Sequence, residues 1–230
     1  MAIVLYELVG ADEKRPFSPH VWKIAMALAH KGLDWKAAPT RFLDIKNVED
    51  GSFRTLPILR DGEKVISDSF SIALYLEEAY PDRPSLFRGK GGEAMSRFIE
   101  RWSQTQLHSF MGSAALMDLY DMQDEANRIY FRESREKRYG MPLEQVDRER
   151  DSHLETFRKR LEPLRDMLKY QPFIGGQTPL YADYIVFGAF QWVRISSTYR
   201  FIAEGDPISE WVERCLDLHN GFARSYAAAA

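Results

Sequence analysis

Thiol chemistry is almost missing from this chain: of its 230 residues only Cys215 is a cysteine. That excludes an internal disulfide, a Cys-x-x-Cys redox pair and a thiolate-ligated structural zinc site, and it fits a reducing, cytoplasmic setting. Long apolar runs are missing too. No stretch approaches the roughly 20 residues that span a bilayer, and the segment from Met1 to Leu8 alternates in character and soon meets Asp12, Glu13 and Lys14, unlike a secretory signal. Charge of one sign is scarce: 31 basic and 34 acidic residues leave a net charge of -3, so no global field recruits nucleic acid or an anionic membrane. There is no glycine-rich phosphate loop. His30, His108, His153 and His219 show no metal-ligand spacing, so no metal is expected. Asp151-Ser152-His153 carries triad letters, but neighbours along a helix point in different directions.

What is present is a globular composition, 45% hydrophobic, long enough for two modest cores. Ile3 to Leu8 reads as a strand, followed by the polar loop Gly10 to Pro16. Ser18-Pro19 reads as a helix start, with Ser as N-cap and Pro in the first turn, before Val21, Ile24, Ala25 and Leu28 at helical spacing. His30-Lys31-Gly32 ends that helix. A strand near Trp35 to Pro39 and an irregular loop precede a hairpin, in which Pro57 to Arg60 faces Glu63 to Ile66 across Asp61-Gly62. Ser69 to Tyr80 is an amphipathic helix closed by Pro81. Beyond residue 88 strand signals vanish, and long amphipathic segments, Glu93 to Tyr120 and Val146 to Tyr170, predict an all-helical second half. The mixed-sign runs Arg132 to Arg138 and Asp147 to Asp151 read as solvated helix faces, and Cys215 as a small buried hydrophobe.

The order β-α-β, β-β-α followed by helices, together with Phe17-Ser18-Pro19 in the first strand-to-helix loop, Leu56-Pro57 opening the third strand, Asp68-Ser69 opening the next helix, and Gly175-Gly176 before Ala182-Asp183, resembles the glutathione S-transferases. Ser18-Pro19 with Val21-Trp22, and Tyr80-Pro81-Asp82-Arg83-Pro84, look like the bacterial β-etherase type and related fungal serine glutathione transferases. The resemblance implies a thioredoxin-like glutathione-binding domain over 1–84, a linker over 85–91, and an all-helical domain over 92–226 forming a hydrophobic substrate site. It also implies a homodimer, glutathione as co-substrate and a small hydrophobic or aromatic electrophile as partner, β-aryl ethers included. A non-enzymatic ligand-binding protein of the same fold is the alternative. With no cysteine near Ser18, thiol-disulfide exchange has little to work with.

Residue by residue, the resemblance makes the Ser18 hydroxyl the donor that holds glutathione as a thiolate. A free thiol, pKa near 8.5, is about 3% ionised at pH 7, and lowering it by about two units takes roughly 2.7 kcal/mol. One charge-assisted hydrogen bond, about 1.5 to 3 kcal/mol, plus a helix N-terminus, about 0.3 to 1, reaches that figure without a general base. On local sequence alone Ser18 is equally a plain N-cap, although Val21 stands where a reciprocal capping box needs Glu or Gln. Leu56 beside a cis Pro57 would pair with the cysteinyl backbone of glutathione. Asp68 and Ser69 would receive the γ-glutamyl ammonium and carboxylate. Arg41, Lys46 and Arg54 are unranked candidates for the glycyl carboxylate. Phe17, Met111, Met117 and Tyr120 are expected to wall the electrophile pocket. Leu180 replaces the side-chain cap usual three residues before Asp183, leaving Thr178 or Asp183 itself to satisfy that helix start.

Overall fold

The computed structural model describes residues 2–230. Its first half is β1 (Ile3–Leu8), α1 (Pro19–Lys31), β2 (Trp35–Thr40), a short 3-10 turn (Phe42–Asn47), β3 (Ile58–Asp61), β4 (Lys64–Ser67) and α2 (Ser69–Ala79). These make one four-stranded sheet in the order β2-β1-β3-β4. β1 and β2 run parallel with Ile3 opposite Trp35, which requires α1 as the crossover between them. β3 is antiparallel to β1, and β4 to β3. The hairpin loop lies one residue later than expected: Arg60 faces Val65 instead of Glu63 and Asp61 faces Lys64, so the loop is Gly62-Glu63. Gly62 has φ 61°, and a residue without Cβ occupies that conformation without penalty, which places glycine inside the two-residue loop rather than after Asp61 as its last member.

The second half is helical: α3 (Lys90–Trp102), α4 (His108–Ala114), α5 (Leu116–Asp121), α6 (Glu125–Tyr139), α7 (Leu143–Glu149), α8 (Leu154–Arg160), α9 (Glu162–Leu168), α10 (Tyr181–Ser196) and α11 (Pro207–Gly221). The two long segments predicted from periodicity are broken. A π turn at Ser103–Leu107 separates α3 from α4, and Ala115 (φ -100°, ψ 13°) separates α4 from α5. A 3-10 turn at Arg150–His153 and then Leu161 interrupt the second; Pro163, in the first turn of α9, cannot continue α8 because it has no N–H to donate. α10 is buried on nearly every side, and Asp183 is its anchor. That carboxylate accepts N–H from Ile174 (2.7 Å), Gly175 (2.9 Å) and Leu180 (3.0 Å), and the Trp211 indole N–H at 3.3 Å. The missing cap at Leu180 is thus replaced from inside the helix. Cys215 lies fully buried on α11.

The halves are joined through α1, whose flank packs along α10. A Cβ on Gly188 would come 2.5 Å from the Pro19 carbonyl oxygen, so a glycine is what lets the start of α1 seat there. Lys23 of α1, with no exposed surface, pairs with Glu100 of α3 at 3.1 Å, and the Tyr181 hydroxyl of α10 donates to the Ser69 carbonyl at 2.9 Å. The Tyr184 hydroxyl bridges His30 Nδ1 (2.7 Å) and His219 Nε2 (2.9 Å). Among the described residues no helix is long and apolar enough to cross a membrane.

Glu7 is the one acidic side chain the sheet buries, 4% exposed on β1. Burial is the main cause that pushes its pKa from 4.5 up to about 7, against a smaller opposing hydrogen bond from Trp35. The folded protein therefore holds this proton more tightly than the unfolded chain. Stability is undiminished below pH 4.5 and falls as pH rises from 4.5 to about 7, by about 3 kcal/mol as an upper bound. Glu7→Gln is expected to raise the melting temperature at pH 8 and leave it unchanged at pH 4.5. Equal shifts at both pH values would contradict the assignment.

Candidate active site

A cavity of about 530 Å³ opens between the halves. From the first half, Leu8 of β1, Phe17 to His20 at the start of α1, Phe42 and Ile45 of the 3-10 turn, and Arg54 to Leu56 line it. The second half supplies Gln104 of the π turn, His108 and Gly112 of α4, Leu116 and Leu119 of α5, the α6 face from Tyr130 to Tyr139, and Trp192 of α10.

Ser18 is one of the lining residues and is buried. Its position is set by backbone bonds on both sides, Phe17 N–H to the Leu8 carbonyl at 3.1 Å and Trp22 N–H to the Ser18 carbonyl at 3.1 Å. The Trp22 indole N–H fixes the preceding Pro16 carbonyl at 2.8 Å. Ser18 Oγ accepts from Val21 N–H at 3.4 Å, a long N-cap bond. That bond consumes a lone pair and leaves the O–H proton free to donate. Cap and donor are therefore compatible in one side chain.

The neighbouring imidazoles are not bases at neutral pH. Burial first, and then Lys23 and His108, hold His20 well below the ordinary histidine value. Burial, Lys23 and Arg138 lower His108 to about 3. Their rings lie 5.2 Å apart.

The Leu56–Pro57 peptide bond is cis, and Leu56 lines the cavity. Ile58 is opposite Ser67 in the hairpin, so Pro57 and Asp68 are neighbours at that end of the sheet. Asp68 is exposed, has φ 72°, and caps α2 through Ser71 N–H at 2.9 Å; Ser69 is buried beneath the Tyr181 hydroxyl. Neither lines the cavity itself. Of the basic candidates, Arg54 lines it and donates to the Gly51 and Phe53 carbonyls at 2.8 and 2.9 Å. Arg41 is instead paired with Glu13 at 3.3 Å and Asp124 at 3.4 Å, and Lys46 is exposed outside the lining.

Of the expected electrophile contacts, Phe17 lines the cavity. Met111 is fully buried one helical step behind Gly112 and His108, which take the cavity side of α4. Tyr120 lies beneath the Arg132 guanidinium, 4.8 Å from its ring centre, and Met117 also stays outside the lining. The larger departure is α6. Arg135 and Arg138, read from the sequence as part of a solvated run, face the cavity, as does Tyr139 just beyond that run. No Asp or Glu is among the lining residues, and among the described residues no cluster of three or more His, Cys, Asp or Glu side chains could hold a metal.

With that geometry in view, family comparison is decisive: the chain matches the glutathione S-transferase N-terminal domain over residues 14–84 and the glutathione S-transferase C-terminal domain over 94–221, the latter alone more than half the chain. The chain belongs to the glutathione S-transferase family. Among relatives, it is 26% identical to the glutathione S-transferase-like protein ustS of Aspergillus flavus, over 92% of this chain and 82% of that one. It is 41% identical to glutathione S-transferase Z1 of Arabidopsis thaliana over a shorter stretch, 29% of this chain and 32% of that one. Glutathione transferase GSTFuA2 of Phanerochaete chrysosporium superposes with a TM-score of 0.72 at 26% identity, covering both chains completely. A glutathione S-transferase of Ceriporiopsis subvermispora, solved in complex with glutathione, superposes at 0.81 with 23% identity over 100% of this chain and 99% of that one.

Proposed function

We propose that this glutathione S-transferase is of the serine type: the Ser18 hydroxyl donates to the sulfur of bound glutathione, keeps it ionised at neutral pH, and presents it to a flat hydrophobic electrophile in the cavity. The observation that carries the proposal is Ser18 in the cavity lining, its oxygen accepting from Val21 N–H and its proton without a protein acceptor. Three effects add: the charge-assisted O–H···S bond, the α1 N-terminus, and a lining that contains three arginines and no carboxylate. In a displacement, sulfur bonds to the electrophilic carbon while the leaving group departs with the bonding electron pair. With a β-aryl ether that leaving group is a phenolate. Ether cleavage belongs to the proposal on the resemblance to the β-etherase type, and a fluorogenic aryl ether tests it: released phenol supports it, conjugation of simple aryl halides alone contradicts it.

Glutathione lies, in this reading, along Leu56 toward Asp68 and Ser69. The Leu56 backbone pairs with the cysteinyl unit, Asp68 and the start of α2 take the γ-glutamyl end, and Arg54 takes the glycyl carboxylate. Arg54→Met is expected to raise the KM for glutathione about tenfold or more, the scale of a lost charge-assisted bond. Arg41→Met, whose guanidinium is already committed to Glu13 and Asp124, is expected to change it less than about twofold. The reverse ranking in steady-state kinetics would refute the placement. A homodimer is part of the same reading; the exposed Met95 and Phe98 on α3, 55% and 65% accessible, are apolar surface a partner copy would cover. A sedimentation mass of a single chain at micromolar concentration would count against it.

The alternative, a ligand-binding protein without catalysis, keeps the cavity but needs no ionised sulfur. Glutathione bound as a neutral thiol in both the parent protein and Ser18→Ala would favour it.

A further inference from the structure

One face of α6 carries Phe131, Arg135, Arg138 and Tyr139, spaced so that all four meet the cavity. Arg132, one residue off that face, is neutralised by Glu136 at 2.8 Å and Glu144 at 2.7 Å. Arg135 and Arg138 are not: among the described residues neither forms an ion pair within 4.0 Å. The guanidinium of Arg135 rests over Phe131 (4.7 Å) and Phe42 (5.4 Å) and donates to Ser134 Oγ at 3.0 Å. Burial and the adjacent Arg138 hold Arg135 below the ordinary arginine value, and Arg138 adds to the depression of His108. Arg135 is partly desolvated, Arg138 beside it is exposed, and neither has a protein counter-ion, so the desolvated cation costs free energy that a bound anion recovers. Around them Phe17, Phe42, Tyr130 and Trp192 make the lining aromatic, which suits a flat body.

We propose that the second substrate is an aromatic electrophile bearing a carboxylate, the anion seated at Arg135 and Arg138 and the reactive carbon facing Ser18. This rests on the glutathione transferase reading and names the substrate class for that same site. Glutathione's own carboxylates are assigned to the opposite wall, at Arg54 and the start of α2.

A matched pair of compounds tests it: 4-chloro-3,5-dinitrobenzoate and 4-chloro-3,5-dinitrobenzamide. In each, the thiolate sulfur bonds to the chlorine-bearing carbon and chloride leaves with the electron pair of the broken C–Cl bond. At saturating glutathione, kcat/KM for the acid relative to the amide, normalised to the uncatalysed rates, is expected to exceed about ten, and the Arg135→Met/Arg138→Met double variant is expected to lower that ratio about tenfold. Arg135→Lys is expected to restore part of it, and Arg132→Met to leave it unchanged. Dissociation constants from quenching of tryptophan fluorescence, with Trp192 in the lining, are expected to follow the same order without requiring turnover.

The proposal is overturned if the parent protein shows no preference for the acid, or if the double variant raises the KM for glutathione while the ratio stays put, which would assign the arginines to glutathione. Failure of the parent reading has a different signature: neither compound is turned over and bound glutathione is a neutral thiol. In that event the acid-to-amide binding ratio still judges the arginines.

Discussion

Ser18→Ala is expected to lower kcat/KM at pH 7 by up to about 25-fold, with the deficit shrinking as pH rises through 8.5. The magnitude follows from ionisation. If the hydroxyl and the α1 N-terminus lower the sulfur pKa from about 8.5 to about 6.5, roughly three quarters of bound glutathione is thiolate at pH 7, against about 3% without that help. The figure is an upper bound, because a thiolate of lower pKa is intrinsically less nucleophilic. Removal of the hydroxyl also deletes the long bond to Val21 N–H, so a stability loss of about 0.5 to 1 kcal/mol is expected beside the kinetic one. That loss does not depend on pH in this range, which separates it from the catalytic effect. A pH-rate profile of the variant parallel to that of the parent protein would contradict the role given to Ser18.

Asp183→Ala is expected to be the most damaging single change to the fold. The carboxylate has no exposed surface and serves three backbone N–H groups and one indole. Alanine strands all four donors at once. Each buried unsatisfied donor costs about 1 to 3 kcal/mol, and local relaxation reduces the sum, so a total of about 3 to 5 kcal/mol is expected. For a chain of this size that corresponds to a fall in melting temperature of about 10 °C or more. Asp183→Asn keeps one acceptor oxygen and is expected to lose roughly half as much. Thermal unfolding at neutral pH checks both, and an alanine variant within about 1 kcal/mol of the parent protein would show that these bonds contribute little.

Asp183 as a helix anchor and Ser18 as an N-cap were legible in the sequence for the same reason: each position is written in a few consecutive residues. Ser18-Pro19 ahead of an apolar helix, and Ala182-Asp183 after Gly175-Gly176, specify local backbone geometry, and local geometry fixes where the side chain points. The hairpin was legible as a hairpin but not in register. Asp61-Gly62 and Gly62-Glu63 are both reasonable loops, and the choice between them falls to the ladder with β1, where Leu59 faces Leu5. The breaks inside the two long helical segments were harder to see. Apolar spacing continues through the π turn at Ser103–Leu107, and only Pro163 announced an interruption.

The arginines of α6 escaped for a different reason. A run of mixed charge looks the same whether its helix faces water or a cavity, and the distinction comes from the 3-10 turn: Phe42 is 5.9 Å from Phe131 and 5.8 Å from Tyr130 across the crevice. One signal was available. Phe131, Arg135, Arg138 and Tyr139 share a helical stripe that holds aromatics and cations but no acid, while Glu136 falls beside Arg132. Met111 was misdirected by the opposite problem, since a methionine at helical spacing is as good a core residue as a pocket wall, and Gly112 beside it leaves the opening.

The central claim is the ionisation state of one sulfur, and it is read most directly by titrating the ultraviolet absorbance of the glutathione thiolate when bound to the protein and to Ser18→Ala. A midpoint near pH 6.5 for the parent protein, moving back toward 8.5 in the variant, is the predicted result. A midpoint near that of free glutathione in both would contradict it, leaving a glutathione S-transferase fold whose cavity binds without activating.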